Sequence, residues 1–213
     1  MLKISEVFFG IQGEGQSMGK PKLFIRLSGC NLKCKWCDTK YHIKGRELNS
    51  NDSFLLGKYK NWVITGGEPL LQQEAILNLI KEYEPYFVDI ETNGTIIPRF
   101  DLALKVNCFN ISPKEQRFQP KHCRAKIHIL DHPLSSDDYI IKFVYSDKDS
   151  ERFITRVINE NNISPHEVWI MPEGQTRKEI LTKQKQVWNY CLKHNYNYSS
   201  RLQIEVWDKK RGV

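Results

Sequence analysis

The sequence predicts an α/β fold built on a mostly parallel sheet, and three observations lead there. Short β-rich runs recur along the 213 residues, amphipathic helix-like segments separate several of them, and ligand-binding residue types collect in the loops that follow the runs. Alternating strands and helices favour a parallel sheet, whose ligand sites lie at the C-terminal ends of the strands.

In chain order, KISEVFF (3 to 9) and KLFIRLSG (22 to 29) read as strands, and the second runs into the loop SGCNLKCKWCDT. Residues 39 to 60 leave room for little more than a short helix around 53 to 58 before the next strand, WVIT (62 to 65). That strand ends in TGGEP. The stretch EPLLQQEAILNLIKEYE then places Leu70, Leu71, Ile76, Leu77, Leu79 and Ile80 on one broad helical face, with Pro69 in the first turn, where proline is tolerated.

YFVDIET (86 to 92) ends in ETNG, and KVNCFNIS (105 to 112) in ISPK. YIIKFVYS (139 to 146) precedes the amphipathic SDKDSERFITRVINEN, and EVWIMP (167 to 172) ends in MPEG. A second amphipathic segment, QTRKEILTKQKQVWNYCLKHN, leads to a last expected strand, LQIEVW at 202 to 207. Five unusual loops on one expected rim imply a shared site.

The chain is long enough to bury a core without disulfides, and no linker or repeat divides it, so a single domain over residues 1–213 is expected. With 40% apolar and 27% charged residues, disorder is not expected. MLKISEVFFGIQGEG turns to glycine and acid before a signal-peptide core develops, and no stretch approaches a membrane span. A cytoplasmic location is therefore expected, where clustered cysteines point to metal or redox chemistry. The net charge of +7 suits an anionic ligand or acidic partner, but the charges are scattered apart from the DKKRG run. With no recognition module, direct nucleic-acid binding is not expected.

Cys30, Cys34 and Cys37 put three thiols into eight positions. A structural zinc site normally has four ligands. The candidates for a fourth, His42, Cys108, His122, Cys123 and His128, form no second paired knuckle. A 4Fe-4S cluster held by only three cysteines keeps one iron open to a substrate or cofactor.

This CxxxCxxC pattern resembles the signature of radical S-adenosylmethionine (SAM) enzymes. In those enzymes the open iron binds SAM, and an electron from the cluster cleaves the sulfonium to a 5'-deoxyadenosyl radical. The resemblance implies a 4Fe-4S cluster on Cys30, Cys34 and Cys37, and an incomplete or modified TIM-like barrel, which the short 39 to 60 connection also suits. It implies SAM contacts from Trp36, Cys37 and Asp38, and from Gly66, Gly67 and Glu68 of the GGEP motif.

A more specific resemblance begins at Glu6-Val7-Phe8-Phe9-Gly10-Ile11-Gln12-Gly13-Glu14-Gly15, which is similar to the ExFxxxQGEG opening of the 7-carboxy-7-deazaguanine synthase family. It continues through FIRLSGCNLKCKWCDT, TGGEP, IETNG, ISPK and the terminal KRGV. It implies radical ring contraction of 6-carboxy-5,6,7,8-tetrahydropterin with loss of ammonia, feeding queuosine and other 7-deazapurines. SAM and magnesium are the implied cofactors besides the cluster. A flavodoxin-like electron donor and a homodimer are the implied partners.

Carried onto this chain, the resemblance implies substrate contacts at Ile11, Gln12, Gly13, Glu14, Arg26, Thr92 and Val213, and a magnesium ligand at Thr39. Arg26 would take the substrate carboxylate with its planar fork. Further SAM contacts fall at Gly94, at Ser112, Pro113 and Lys114, and at Met171, Pro172, Glu173 and Gly174.

Two positions depart from the family pattern. Met171 stands where glutamine is common, and the tail lacks a QTH-like histidine, leaving Glu205 as a candidate replacement. Cys108, Cys123 and Cys191 lie outside the motif, and the spacing of His122, His128 and His132 fits no compact metal face. Two alternatives stand beside this reading. A glycyl-radical activating enzyme also uses CxxxCxxC but lacks the QGEG, CDT and KRGV features, and a zinc or nucleic-acid-binding module would be a protein of another class.

Overall fold

The computed structural model describes residues 2–35, 37, 39, 44–115, 117, 128–131, 134–135, 138–210 and 212. Eight strands form one sheet in sequence order: β1 (Ile4–Ile11), β2 (Pro21–Leu27), β3 (Asn61–Gly66), β4 (Phe87–Thr92), β5 (Cys108–Ile111), β6 (Tyr139–Tyr145), β7 (Val168–Pro172) and β8 (Asn197–Tyr198). β1 and β2 form an antiparallel hairpin, and every later pair is parallel. The sheet is an open barrel with β1 and β8 as its edges.

The edges are tied together by the loop after β1. Leu202 N–H donates to the Gly13 carbonyl at 3.1 Å, and Gly15 N–H donates to Ser199 Oγ at 2.8 Å. The residues just beyond β8 thereby close the gap that strand pairing leaves.

Side chains alternate across the strands, and the two faces differ in character. The outer face carries Leu23, Ile25, Leu27, Ile64, Ile90, Ile111, Ile141, Phe143 and Ile170, all fully buried. They join one core with Ile76 and Ile80 of α2 (Gln73–Tyr83), Ile154 and Val157 of α4 (Lys148–Asn161), and Val187 of α5 (Arg177–His194). The inner face carries Phe24, Arg26, Thr65, Glu91, Asn110 and Lys142, which line a cavity. Parallel strands are usually apolar on both faces, so this polar interior marks the functional side.

Helix ends follow the local sequence. Asn49 caps α1 (Ser50–Lys58) through a reciprocal bond with Asp52, Asp147 caps α4, and Thr176 caps α5. Asn162 and Asn195 end α4 and α5 in the left-handed region, which asparagine tolerates. The helix expected from Pro69 onward divides into a 3-10 turn, Pro69–Gln72, and α2. Glu68 caps that turn by accepting from Leu70 N–H. A further short helix, α3 (Phe100–Ala103), precedes β5.

Residues 202 to 207 correct one expectation. Their alternation reads as a strand, but they form the helix α6 (Leu202–Trp207), and the last strand is the two-residue β8. Among them only Ile204 is buried, while Val206 and Trp207 are exposed, so no sheet face receives the alternate apolar residues. Arg201 C=O instead accepts from Ile204 and Glu205 N–H, turning the chain into a helix as soon as Leu202 has bonded to Gly13.

The GGEP turn is held against the cysteine loop. Gly67 N–H donates to Leu27 C=O at 3.0 Å, and Glu68 N–H to Gly29 C=O at 2.8 Å. A Cβ on Gly67 would lie 1.8 Å from the Gly29 carbonyl oxygen, a backbone atom with little room to yield. Gly67→Ala is expected to lower stability by about 1–3 kcal/mol. Gly57→Ala on α1, where an added Cβ meets nothing within 4 Å, should raise it by about 0.5–1 kcal/mol. Urea unfolding midpoints of the two variants check both signs.

Candidate active site

The inner face and the loops at the C-terminal ends of the strands enclose a cavity of about 460 Å³. Cys30, Cys34 and Cys37, all half-buried and in no disulfide, lie at its edge. Leu32 N–H donates to Cys30 Sγ at 3.4 Å, and Cys37 N–H to Cys34 C=O at 3.2 Å, so the loop curls around its own thiols. Burial pushes the Cys30 thiol up, opposed by the Leu32 N–H and reinforced by negative charge on Glu68, Cys34 and Cys37. A bound cation reverses that balance by stabilising thiolates.

The donor set fits an iron-sulfur cluster. Three soft sulfur donors line the same cavity, and among the described residues no three His, Cys, Asp or Glu side chains are gathered tightly enough to hold a single ion. Cys108 and Cys191 are buried, and burial pushes both thiols up to about 12, which suits apolar packing. Cys123, His122, His132 and His42 lie outside the described residues.

Of the residues expected to contact SAM, Cys37, Gly66, Gly67, Ser112, Lys114, Met171, Glu173 and Gly174 line the cavity. Lys114 Nζ donates to Ser112 Oγ at 2.8 Å, and Glu173 pairs with Lys183. Pro113 and Pro172 are buried beside these residues without lining the cavity. Trp36 and Asp38 lie outside the described residues.

Glu68 and Gly94 also stand behind the wall. Glu68 is fully buried and accepts from Leu70 N–H, Thr92 Oγ1 and Asn93 N–H at 3.0, 2.7 and 2.7 Å. It acts as a strut joining the GGEP turn to the ETNG loop. Burial pushes its carboxyl up against the pull of the Asn93 and Leu70 N–H groups, the Thr92 hydroxyl and the Lys114 charge. Gly94, in the left-handed region at φ 79°, accepts from His128 and Ile129 N–H.

Of the expected substrate residues, Ile11, Gln12, Gly13, Glu14, Arg26 and Thr92 line the cavity, and Val213 lies outside the described residues. Thr39, the expected magnesium ligand, is buried and lines it too. Arg26 Nε donates to Glu6 at 2.7 Å. Gln12 Nε2 donates to Glu91 Oε1 at 3.1 Å, and Thr65 Oγ1 donates to Glu91 Oε2 at 2.7 Å.

The strongest cluster surrounds Glu14. Lys142 Nζ donates to Oε2 at 2.6 Å, while Arg201 Nε and Gln203 Nε2 donate to Oε1 at 2.9 and 2.7 Å. Burial alone would push the Glu14 carboxyl up, but the charges of Lys142 and Arg201 outweigh it and hold the group well below the usual carboxylate range. Lys142 stays charged for the complementary reason. Its burial favours the neutral amine, and Glu14 and Glu91 overcome that.

Glu91, Lys142, Arg201 and Gln203 are cavity residues that the sequence reading did not single out. Glu91 and Lys142 occupy inner-face positions in runs otherwise rich in apolar residues, and that polar interruption was the available signal. Glu205 bonds to the Ser200 hydroxyl and does not line the cavity. The tail contributes Arg201, Gln203 and Ile204 instead, because α6 turns that face inward.

The open barrel and the three-thiol loop facing its cavity define an enzyme of the radical SAM class. No family model matches the chain. The 7-carboxy-7-deazaguanine synthase of Rhodopirellula baltica is 32% identical over 233 residues, covering 100% of this chain and 89% of that protein. The chain belongs to the 7-carboxy-7-deazaguanine synthase family. Among solved structures, QueE from Escherichia coli shares the fold with a TM-score of 0.70 at 22% identity, over 93% of each chain. SuiB of Streptococcus suis bound to S-adenosylmethionine matches 83% of this chain and 51% of its own, with a TM-score of 0.51 at 13% identity.

Glu14→Gln would leave Lys142 and Arg201 facing a neutral amide. It is expected to lower stability at pH 7 by about 3 kcal/mol or more. Glu14's carboxyl is depressed in the folded protein, so its contribution is complete above the ordinary glutamate value of 4.5 and fades as pH falls below it. Urea titrations from pH 7 downward should therefore show a shallower acid decline in Glu14→Gln than in the parent protein.

Proposed function

We propose that this chain performs the radical ring contraction of 6-carboxy-5,6,7,8-tetrahydropterin to 7-carboxy-7-deazaguanine with release of ammonia. The observation that carries the reading is that the QGEG loop and the three thiols, far apart in sequence, face the same cavity. A glycyl-radical activating enzyme has no use for a QGEG loop there, and a zinc module has no use for an enclosed polar cavity.

Cys30, Cys34 and Cys37 would hold a 4Fe-4S cluster, with SAM against Gly66, Gly67 and the Ser112 to Lys114 turn. Bound together, the two would supply reversible hydrogen-atom abstraction at the substrate. The product is the substrate less one ammonia, so the reaction needs no external oxidant and SAM is regenerated.

This chain's residues bind, orient and enclose. Arg26 offers its guanidinium to the substrate carboxylate. Thr39 gives an oxygen ligand to magnesium, which prefers oxygen donors and accepts others from substrate and water. Gln12, held by Glu91, and Glu14, held by Lys142 and Arg201, meet the N–H edge of the heterocycle. The loop that joins the barrel edges keeps water from the radical path.

The same reading covers location and partners. No helix among the described residues is long and apolar enough to cross a membrane, and reduced thiols suit the cytoplasm. A flavodoxin-like donor, acidic against this chain's +7 charge, delivers the electron. A homodimer follows the family.

Anaerobically reconstituted protein with SAM and a reductant should convert the carboxytetrahydropterin to the deazaguanine, monitored by liquid chromatography and mass spectrometry. One zinc and no sulfide per chain, or no SAM-dependent product from cluster-loaded protein, would overturn the reading. Cys34→Ala should lose the cluster's visible absorbance and all turnover, whereas Cys191→Ala keeps both. Thr39→Ala should retain the cluster while its rate loses most of its response to added magnesium.

A further inference from the structure

Lys142 lines the cavity with two carboxylates, Glu14 in contact with it and Glu91 two strands away. Its ammonium carries three N–H donors and no acceptor. Among the described residues its one hydrogen bond goes to Glu14 Oε2, while Glu91, from β4, contributes to the field that keeps it charged. The side chain is 6% exposed and lines the cavity, so its remaining donors have the cavity as their outlet. Glu91 accepts one bond on each oxygen, from Gln12 and Thr65, and keeps a lone pair on each.

A buried ion pair adds little stability over an apolar pair of the same volume. Stability alone therefore does not account for a lysine at this inner-face position, where its neighbours Ile140 and Val144 are apolar. Its chemistry does. Glu91, Lys142 and Glu14 present an acceptor, a donor and an acceptor to the same cavity. A reduced pterin carries the complementary row along one edge: N5–H, the 4-oxo oxygen and N3–H.

We propose that Lys142 is a specificity-determining residue, donating to the 4-oxo oxygen of the bound heterocycle while Glu91 and Glu14 accept from the flanking N–H groups. The inference rests on the substrate class proposed above. Since an ammonium cannot accept, the site rejects a ring that places an amino group at that position.

The test compares equilibrium binding, by calorimetry on cluster-loaded protein with SAM, of 6-carboxytetrahydropterin and its 4-amino analogue, in which the oxo oxygen becomes a donor and N3 loses its hydrogen. The parent protein should favour the 4-oxo compound by about tenfold or more. In Lys142→Met that preference should shrink at least about tenfold, and KM should rise more than kcat falls. Lys142→Arg, which keeps a donor, should restore part of the preference.

An unchanged preference in folded Lys142→Met overturns the proposal. If Lys142→Met does not fold, the parent protein decides alone, and equal binding of the two compounds overturns it. Normal turnover with an unaltered preference in Lys142→Met removes this inference but leaves the proposed reaction. The expected binding preference without turnover supports the inference and removes the reaction.

Discussion

The burial of Glu14 between Lys142 and Arg201 is the interaction on which the site depends. Glu14 belongs to the loop after the first strand, Lys142 to the sixth, and Arg201 to the segment after the eighth. One carboxylate thus joins the two free edges of the sheet to its middle. A charge removed from water is tolerated only when it is paired and hydrogen-bonded. Glu14 accepts from three donors, and its loss would leave two buried cations without the carboxylate they share. The same residues form the polar floor, so the contact that closes the barrel also shapes the ligand space.

A second constraint acts at the rim. The cysteine loop, the GGEP turn and the ETNG loop belong to three successive parallel strands, whose C-terminal ends lie side by side. Gly67 allows two stretches of backbone to touch, and Glu68 accepts from a backbone N–H and a side-chain hydroxyl of the ETNG loop. Glu68 therefore holds together the loops that line the cavity while standing behind its wall.

Much of the fold was legible in the sequence. The strands through β7 and the helices α2, α4 and α5 stand where hydrophobic spacing puts them, because their outer faces pack against each other in the pattern that periodicity reports. The tail was not legible. LQIEVW has the alternation of a strand, but the sheet's edge was already occupied by Asn197 and Tyr198, and Leu202 was committed to Gly13. Local pattern yielded to a tertiary contact about 190 residues away in sequence.

Of the site, the sequence alone determined loops that line the cavity: the three closely spaced thiols, the paired glycines, and the QGEG segment. These are local properties, since each depends on residues within a single turn of chain. Tertiary structure decided which polar side chains share the space they enclose. Lys142, Arg201 and Gln203 lie outside the expected loops, Glu91 opens one of them without standing out, and the four come together only where strands four, six and the tail converge. The physical reason is that a buried charge is defined by its partners, and partners drawn from distant strands leave no spacing in the sequence to read.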